Sequence, residues 1–503
     1  MDERMTDPTF IAPDGANGGV LRAGIAYMVV GLAAFLLLGL LGLLMRLDHA
    51  GLVVVPPIWF YRIMTLHGSG MISSVLLASL GGLAAAVSST NRLSARALWT
   101  ALVLYLMGTG FVVLAVLAGG FAGGWTALYP LPEIGAVWTI GATITMFVGY
   151  LFVSFGLLLF CSHILVAMAK SHSGLTKVLA WRFLFSGGRD KRDPLPRPVE
   201  LIAAVTALNG VATAAAGLIY LIPLFAQAAG LVDHVNALFA KNFVYLFGHT
   251  LANLSIYMTA GLVFATLPVY TRRPWRTTWL IALAWNIIII YLMMNWSHHL
   301  YADFAQPFAL QILAGLGSYA DALPSFIVTI VGAMALMYGS GLRWTVTTVL
   351  MALGLWGWVI GGFGAVLDST IPVNQVMHNT MWVPAHFHTY FVLGAVAFAW
   401  AYLAHLVTVL SGERDMRASR IAAWVYGLGG AGFILMFFAE GANSVPRRYP
   451  VHLPEWQVYA RIAVPFVVLI ALSLAWLTWD MVSRLGPAWR GTFAPLQSPD
   501  VAS

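Results

Sequence analysis

Histidines recur inside long apolar segments of this 503-residue chain, where metal or haem ligation is the chemistry they could support. Seven of the thirteen fall there: His67, His249, His298, His299, His378, His386 and His388. At ~1.5 Å rise per residue, His67, His249, His386 and His388 lie about 12–17 Å below the predicted outer helix ends. Burying an ionisable group in a membrane is costly, and neutral imidazole is a common metal ligand. A shared depth therefore favours ligation over coincidental burial.

The segment "HNTMWVPAHFHTY" places His386 and His388 two residues apart. On a helix this spacing corresponds to about 200° of rotation, so the two side chains point to opposite faces. One helix can then serve two centres. His388 paired with His67 would give a six-coordinate haem that carries electrons without an open position, whereas His386 alone would leave one haem face free. His249, His298 and His299 supply three imidazoles, a set that suits copper, iron or zinc.

These residues must be positioned by membrane helices, because 60% of the chain is hydrophobic and only 9% is charged. The pattern predicts an all-α integral membrane protein with twelve transmembrane helices in one bundle. The single cysteine, Cys161, excludes a disulfide framework and a cysteine-rich metal site. The predicted spans are 22–46, 58–87, 96–119, 136–169, 199–228, 241–269, 277–297, 308–338, 343–363, 377–410, 420–440 and 457–483.

Positive charge marks one side of the predicted membrane domain. The loops "TNRLSAR", "SGGRDKRDPLPR", "YTRRPWR" and "SGERDMRASR" all fall on that side and hold most of the 26 lysines and arginines. The positive-inside rule puts this side and both termini in the cytoplasm. We therefore expect a membrane domain over 22–485, flanked by cytoplasmic tails at 1–21 and 486–503. The loops account for the net charge of +7, and no basic groove interleaved with aromatics suggests nucleic-acid binding.

Taken together, these motifs resemble the catalytic subunit (subunit I) of the haem–copper oxidase superfamily from about residue 20 to 485, most closely its B-type branch. The motifs are "TLHGSGM" at 65–71, "GGWTALYPLP" at 123–132, "GHTLAN" at 248–253, "SHHLYADFAQP" at 297–307, "HNTMWVPAHFHTY" at 378–390 and "VPRRYP" at 445–450. The resemblance implies that His67 and His388 bind a low-spin haem and that His386 binds a high-spin haem. It also implies that His249, His298 and His299 bind the second metal, called CuB in the oxidases.

The resemblance extends to groups around the haem propionates. Arg447 and Arg448 resemble a pair that neutralises propionates, which fits two arginines on the outer side, against the charge rule. His378 and Trp382 are expected to lie near the same propionates. Two further outer-side carboxylates, Asp303 and Glu440, could serve as supporting or proton-exit groups, or be plain helix-end residues.

One family residue is missing. A-type and B-type oxygen reductases carry a tyrosine four residues after the sixth-span histidine, where it supplies an electron and a proton as the O–O bond breaks. Here the position is Asn253, on the same helix face as His249. An amide is neither redox-active nor acidic at useful pH. Tyr257 lies too far along the helix to bond to His249. The C-type position is Leu292, so Tyr291 would need a helix irregularity to replace it.

Proton uptake from the cytoplasm also has little support in the sequence. The sixth span offers only Thr259 and Thr266 where the B-type branch has tyrosines, and Ser325 and Thr329 could be remnants of a path. Asn374 stands where the B-type pattern has an aspartate, which puts a proton-loading site in doubt.

These losses favour nitric oxide reduction to nitrous oxide, which needs two electrons and two protons and no tyrosyl radical. The alternatives are oxygen reduction to water and NO dismutation. Relatives that reduce NO with an iron as second metal use a glutamate near it, but residues 201–412 contain none. Copper is therefore the expected metal rather than iron, with Asn253 as a hydrogen-bond donor or weak ligand.

The sequence also makes predictions about location and partners. We expect a multi-pass protein of the prokaryotic inner membrane, surrounded by lipid. It would hold two haems, the low-spin one b-type and the high-spin one b- or a-type. The chain has neither CuA cysteines nor a CxxCH motif for attaching a c-type haem. An electron-donating subunit II with a CuA or cytochrome c-type domain is therefore implied.

Overall fold

The computed structural model describes residues 18–124, 137–301, 303 and 305–490, without the side chains of 487–490. In these residues the regular elements are helical, apart from one isolated bridge between Thr380 and Pro446. The helices are α1 (Gly18–His49), α2 (Pro57–Val87), α3 (Ala95–Leu117), α4 (Ile140–Ser171), α5 (Leu175–Val178), α6 (Trp181–Phe185), α7 (Pro198–Ala228), α8 (Ala237–Thr271), α9 (Trp279–Tyr291), α10 (Phe308–Met337), α11 (Val346–Asp368), α12 (Ile371–Met377), α13 (Trp382–His388), α14 (Ala397–Ser411), α15 (Arg417–Ala442) and α16 (Pro454–Arg490).

Within the described ranges, eleven helical stretches are long and apolar enough to cross a membrane, with α13 and α14 counted as one. The predicted all-helical, multi-pass architecture is therefore confirmed, whereas the count of twelve is not. The difference is the predicted span 277–297. Its helix, α9, has 13 residues, and at ~1.5 Å per residue it is shorter than the ~30 Å apolar core of a bilayer. The chain then turns into a 3₁₀ helix, Asn295–Leu300, which carries His298 and His299.

Three stretches occupy the centre of the bundle. In the most apolar windows of α2, α8 and α13–α14, 83–89% of the residues are buried, compared with 22% in α1, α10 and α16. The outer helices α1, α10 and α16 present apolar side chains outward, as lipid-facing helices do. α8 packs against α2, α7, α14 and the 3₁₀ helix. All the central stretches carry histidines of the predicted set, so the bundle brings the candidate ligands inside.

Local irregularities lie beside the candidate ligands in the tenth predicted span. α13 ends at His388 and continues as a π-helix over Thr389–Val396 before α14 begins. π-helical turns are rare and frequently occur at functional sites. The widened turn follows directly after the two histidines, so the angle between successive side chains changes immediately after His388.

A backbone bridge positions the loop between α15 and α16. The Met381 amide donates to the Val445 carbonyl at 2.9 Å, and the Arg447 amide donates to the Asn379 carbonyl at 3.0 Å. These bonds hold the "VPRR" segment against the start of α13. Most of the predicted motif at 123–132, namely 125–132, lies outside the described residues, as do 1–17 and 491–503 of the predicted tails.

Candidate functional site

His67 from α2 and His388 from α13 face each other across a cavity. Their rings are close to parallel, with an interplanar angle of 17° and centroids 6.4 Å apart. Each Nδ1–H donates to a backbone carbonyl, His67 to Leu38 at 3.0 Å and His388 to Pro384 at 2.7 Å. This fixes the tautomer and leaves both Nε2 atoms as free bases. Gly42 makes room for His67, since a Cβ there would lie 2.6 Å from the ring. Two such imidazoles can ligate one haem iron.

His386 faces a different part of the cavity from His388, as the two-residue spacing predicts. Its Nδ1–H donates to the Gly361 carbonyl of α11 at 3.1 Å, which again leaves Nε2 available. A Cβ at Gly364 would lie 2.7 Å from His386 Nδ1, so a glycine is needed for this close approach. One imidazole with a bare Nε2 can hold a second haem on one side.

Three further histidines converge at the same cavity. One ring nitrogen from each of His249, His298 and His299 lies within 4.8 Å of the others, and His249 Nδ1 is 2.8 Å from His299 Nε2. The 3₁₀ helix Asn295–Leu300 carries the consecutive pair, and both histidines line the cavity. His298 Nδ1 is hydrogen-bonded to Ser318 Oγ of α10 at 2.8 Å, which leaves its Nε2 for a metal. The donor set is three neutral imidazoles, which suits copper or zinc.

The amides of Asn253 and Asn295 both contact the far edge of His249. Asn253 lies 2.7 Å and Asn295 Oδ1 lies 2.9 Å from His249 Nε2. The Asn295 Nδ2 group donates to Asp321 Oδ2 at 2.7 Å, and the Tyr257 hydroxyl donates to the same oxygen at 2.9 Å. A buried chain of hydrogen bonds therefore leads from a candidate metal ligand to a carboxyl group.

This chain determines the tautomer of His249. Asn295 must turn its nitrogen to Asp321, so its oxygen faces His249 and Nε2 carries the hydrogen. Nδ1 is then the free base, and it is the atom that points to the other two histidines. With one hydrogen on Nε2, the Asn253 atom facing it should be the amide oxygen, because amide oxygen and nitrogen exchange by a 180° rotation. Asn253 thus contacts His249 rather than the point where the three histidines meet.

Arg447 and Arg448 lie at one end of the cavity, where His378 also lines it. The Nε atom of Arg447 is buried and has no partner among the described residues. Burial and the neighbouring Arg448 lower the pKa of Arg447 to about 10. Burial and both arginines lower the pKa of His378 to about 4, so this histidine is neutral at pH 7. Arg448 has a positive φ of 68°, uncommon for a non-glycine residue. Unpaired buried guanidinium nitrogen fits an anionic ligand such as a haem propionate.

Asp368 at the end of α11 belongs to the same end of the cavity. Its carboxyl oxygens have no hydrogen-bond partner among the described residues, and neither does the neighbouring Trp382 Nε1. The Asn374 side chain donates to the Asp368 carbonyl at 2.7 Å. Although the sequence has an asparagine at 374 where an aspartate was expected, Asp368 supplies a carboxylate to this region.

Asn295, Asp321 and Asp368 were not predicted from the sequence. A carboxylate within an apolar span is a functional candidate by the same rule that selected the histidines, so Asp321, inside the predicted span 308–338, carried a usable signal. Asp368 lies beyond the predicted span 343–363 and carried none. Asn295 had no such signal, because its role depends on contacts with α8 and α10.

Two histidines that lie between predicted spans are also buried. His49 and His452 have 8% and 3% of their surface exposed, and their rings stack with centroids 3.8 Å apart. The α15–α16 loop covers the end of α1 here, a contact between distant segments that the sequence pattern does not reveal.

The remaining candidates have ordinary partners or different neighbours. Glu440 forms two hydrogen bonds to Arg46, at 2.8 and 3.0 Å, and Asp303 accepts from Lys241 at 2.6 Å. The Lys241 hydrogen bond holds the pKa of Asp303 below its usual value. Tyr291 packs against Gly317 of α10. Tyr257 contacts Asp321 and not His249 in the hydrogen-bond network.

Comparison with known proteins agrees with this architecture. The family described as "Cytochrome C and Quinol oxidase polypeptide I" matches residues 22–473. Cytochrome c oxidase subunit 1 of Thermostichus vulcanus is 25% identical over 473 residues, covering 90% of this chain and 81% of that protein. A probable cytochrome c oxidase subunit 1-beta of Nocardia farcinica is 25% identical over 493 residues, covering 91% and 77%.

The fold also matches a solved structure. A chain from the cryo-EM structure of a heme-copper terminal oxidase dimer aligns with a TM-score of 0.77 at 19% identity, covering 97% of this chain and 86% of that one. This family binds haems and a copper centre and works with other subunits in the membrane. The chain belongs to the haem–copper oxidase family as a subunit I, a multi-pass oxidoreductase subunit.

Proposed function

We propose that this protein is a nitric oxide reductase of the prokaryotic inner membrane, converting two NO, two electrons and two protons to N2O and water. The observation that carries the proposal is the Asn253 amide, 2.7 Å from His249 Nε2. In the oxygen reductases that the sequence resembles, a redox-active tyrosine follows the histidine at this spacing. An amide supplies neither an electron nor a proton, and NO reduction requires neither from that position.

The candidate ligands divide into three sets. His67 and His388 would hold a low-spin b-type haem, and His386 would hold a high-spin haem of b- or a-type. His249, His298 and His299 would hold the second metal, for which copper suits three imidazoles without a carboxylate. When bound, these groups would transfer electrons from the external donor and would bind the substrate.

The surrounding side chains keep each ligand in one protonation state and orientation. Asn295 keeps the hydrogen of His249 on Nε2, and Ser318 fixes Nδ1 of His298, so that each imidazole directs a base at the metal position. Asn253 packs against the same edge of His249 and limits its rotation. Such partners typically change metal affinity or activity 10–100-fold when they are mutated.

Electrons must come from another subunit. The charge-rich end that holds Arg447 and Arg448 would receive them near the haem propionates, from a subunit II with a CuA or cytochrome c-type domain. The two arginines would neutralise the propionates and so allow charge to be buried there. Lipid would surround the outer helices.

Oxygen reduction is the second candidate, because the similar proteins are named as cytochrome c oxidase subunits. One contact also favours it. The Tyr245 ring stacks on His299 with centroids 5.2 Å apart and an interplanar angle of 17°. This tyrosine could replace the missing one if the reaction needed a redox-active side chain. Identity of 25% does not fix the substrate, and Tyr245 precedes His249 by four residues, whereas Asn253 follows it by four.

Gas turnover of the purified protein discriminates between these readings. The complex would be given ascorbate with a soluble redox mediator and either NO or O2. We expect one N2O for every two NO consumed, with slow O2 uptake. A His299→Ala variant, lacking one imidazole of the metal set, is the inactive control. Rapid O2 uptake with little N2O would instead establish an oxygen reductase, and N2 with O2 from NO alone would establish a dismutase.

Tyr245→Phe provides a second test between nitric oxide reduction and oxygen reduction. The phenol is removed while the ring that stacks on His299 is kept. A nitric oxide reductase should retain its N2O production in this variant. A collapse of O2 reduction in the same variant would assign the electron-donating role to Tyr245.

A further inference from the structure

Asp321 lies on a polar face of α10. The buried polar residues Ser318, Asp321, Ser325 and Thr329 recur at spacings of three or four, so they share one side of the helix. The opposite side carries exposed apolar residues such as Leu316, Ile327 and Val331. A lipid-facing helix thus turns its polar side chains inward, and one of them is a carboxyl with only 3% of its surface exposed.

The two carboxyl oxygens of Asp321 have different surroundings. Oδ2 accepts hydrogen bonds from the Tyr257 hydroxyl and from Asn295 Nδ2. Oδ1 is buried and has no partner among the described residues. Asp321 lines the same cavity as His249, His298 and His299. Because two donors already occupy Oδ2, a proton bound by this carboxyl would reside on Oδ1, which is the oxygen left for the cavity.

We propose that Asp321 is the proton-donating residue of the active site, and that it delivers protons from Oδ1 to the oxygen atom that leaves as water. The proposal rests on the proposed function only in requiring a reduction that consumes protons and forms water. In each transfer the O–H bond at Oδ1 breaks and an O–H bond forms on the departing oxygen. The electrons come from the external donor, so Asp321 changes only its protonation state.

The carboxylate that remains is stabilised by the Tyr257 and Asn295 donors, which persist through the cycle. Ser325 and Thr329 continue the polar face away from the candidate metal ligands, one and two turns beyond Asp321. Their hydroxyls donate to backbone carbonyls of α10, which leaves their lone pairs free to accept. Pro324 lacks an amide hydrogen, so the Ala320 carbonyl loses its usual helical partner. We expect protons to return to Asp321 along this side of α10. The Ala320 carbonyl and the hydroxyls of Ser325 and Thr329 can bind water there.

Several titratable groups surround Asp321. Tyr257 comes from α8, Tyr390 from the π-helix, and His298 from the 3₁₀ helix through Ser318. Tyr257→Phe removes one donor from the carboxylate and should make the carboxyl hold its proton to higher pH. The alkaline limb of the turnover profile should then move to higher pH.

The test uses the assembled, haem-loaded complex. Asp321→Asn keeps the size of the side chain and its ability to accept from Tyr257, but it cannot carry the proton. We expect unchanged haem spectra and metal content, turnover reduced at least tenfold, and slowed proton uptake measured with a pH dye. Infrared difference spectra of the reduced wild type should contain a carboxylic-acid C=O band that shifts in D2O and is absent from the variant. Asp233→Asn, on an exposed loop, is the matched control.

The outcomes separate this proposal from the identity of the substrate. Turnover and proton uptake are measured with whichever gas the wild type reduces, so O2 reduction would overturn the proposed function but not the role of Asp321. Wild-type turnover in Asp321→Asn, or the same infrared band in that variant, would overturn the role of Asp321. If Asp321→Asn fails to assemble, Asp321→Glu and Tyr257→Phe decide. The first must displace the infrared band and the second must shift the alkaline limb, and failure of either result rejects the proposal.

Discussion

The Asn253 amide lies 2.7 Å from Nε2 of His249, on the ring edge opposite the nitrogen that points to His298 and His299. This relationship separates two roles that the sequence left open. The amide is a partner of the imidazole, whereas the three histidines converge as the candidate metal ligands. We therefore expect Asn253 to influence substrate reduction through its hydrogen bond to His249.

Replacing Asn253 tests that dependence. Asn253→Ala removes a hydrogen bond to His249 and should lower metal occupancy or NO turnover by roughly 10–100-fold. Asn253→Tyr should do at least as much harm, because it removes the same amide contact and places a larger ring beside His249. N2O production and metal analysis are the measurements. Asn242→Ala, about three turns away on α8 and hydrogen-bonded to Gln306, is the control. Unchanged NO reduction in both Asn253 variants would remove any special role for the amide.

The two haem positions should respond separately to histidine substitution. His67→Ala removes one of two imidazoles and should abolish the low-spin optical signature while the high-spin one remains. His386→Ala should do the reverse, because its ring faces another part of the cavity. Optical and electron paramagnetic resonance spectra give the result, with His234→Ala on an exposed loop as control. If either substitution removed both signatures while the protein stayed folded, the two-centre assignment would be wrong.

The candidate histidines could be selected from the sequence because a polar ring in an apolar span stands out against its neighbours, and the structure places them at one cavity. The opposite faces of His386 and His388 followed from helical rotation alone. The depth of His298 and His299 could not be predicted in this way, because the short α9 and the following 3₁₀ helix depend on packing against α8 and α10.

The hydrogen-bond partners of the candidate ligands were harder to predict from the sequence, for a different reason. Asn295 and Asp321 are 26 residues apart and meet only when α10 folds back on the 3₁₀ helix. Likewise, Arg447 is set beside His378 by a backbone bridge between segments that are distant in the chain. Periodicity records which face of a helix is buried, but it contains no information on which side chain of another helix lies opposite.

Arg447→Gln tests the proposed propionate contact. A buried positive charge near a haem favours the reduced form, so removing it should lower the low-spin haem potential by roughly 1–2 kcal/mol of reduction free energy. Redox titration followed optically measures this change. Arg420→Gln removes an exposed arginine at the start of α15 and should leave the potential unchanged. An equal shift in the two variants would point to a general effect of net charge instead.

The buried pair of Arg46 and Glu440 links α1 to α15 beside the low-spin site. Only 3% and 0% of their side-chain surfaces are exposed, and two hydrogen bonds of 2.8 and 3.0 Å join them. The Arg46 guanidinium also lies 4.1 Å from the ring centroid of Phe437. The Phe437 ring in turn packs against His388, with ring centroids 5.0 Å apart. Removing one member leaves an uncompensated buried charge. Glu440→Ala should therefore destabilise the protein by roughly 3–5 kcal/mol.

Thermal unfolding of the detergent-solubilised protein measures this effect, with exposed Glu455→Ala as control. Glu440→Gln keeps hydrogen-bond acceptors without the charge and should fall between Glu440→Ala and the wild type. The double change Arg46→Met with Glu440→Ala should recover part of the lost stability, because no charge is then left buried. Those three results distinguish a charge effect from a cavity effect, since an apolar cavity would cost Glu440→Ala the same whether Arg46 were present or not.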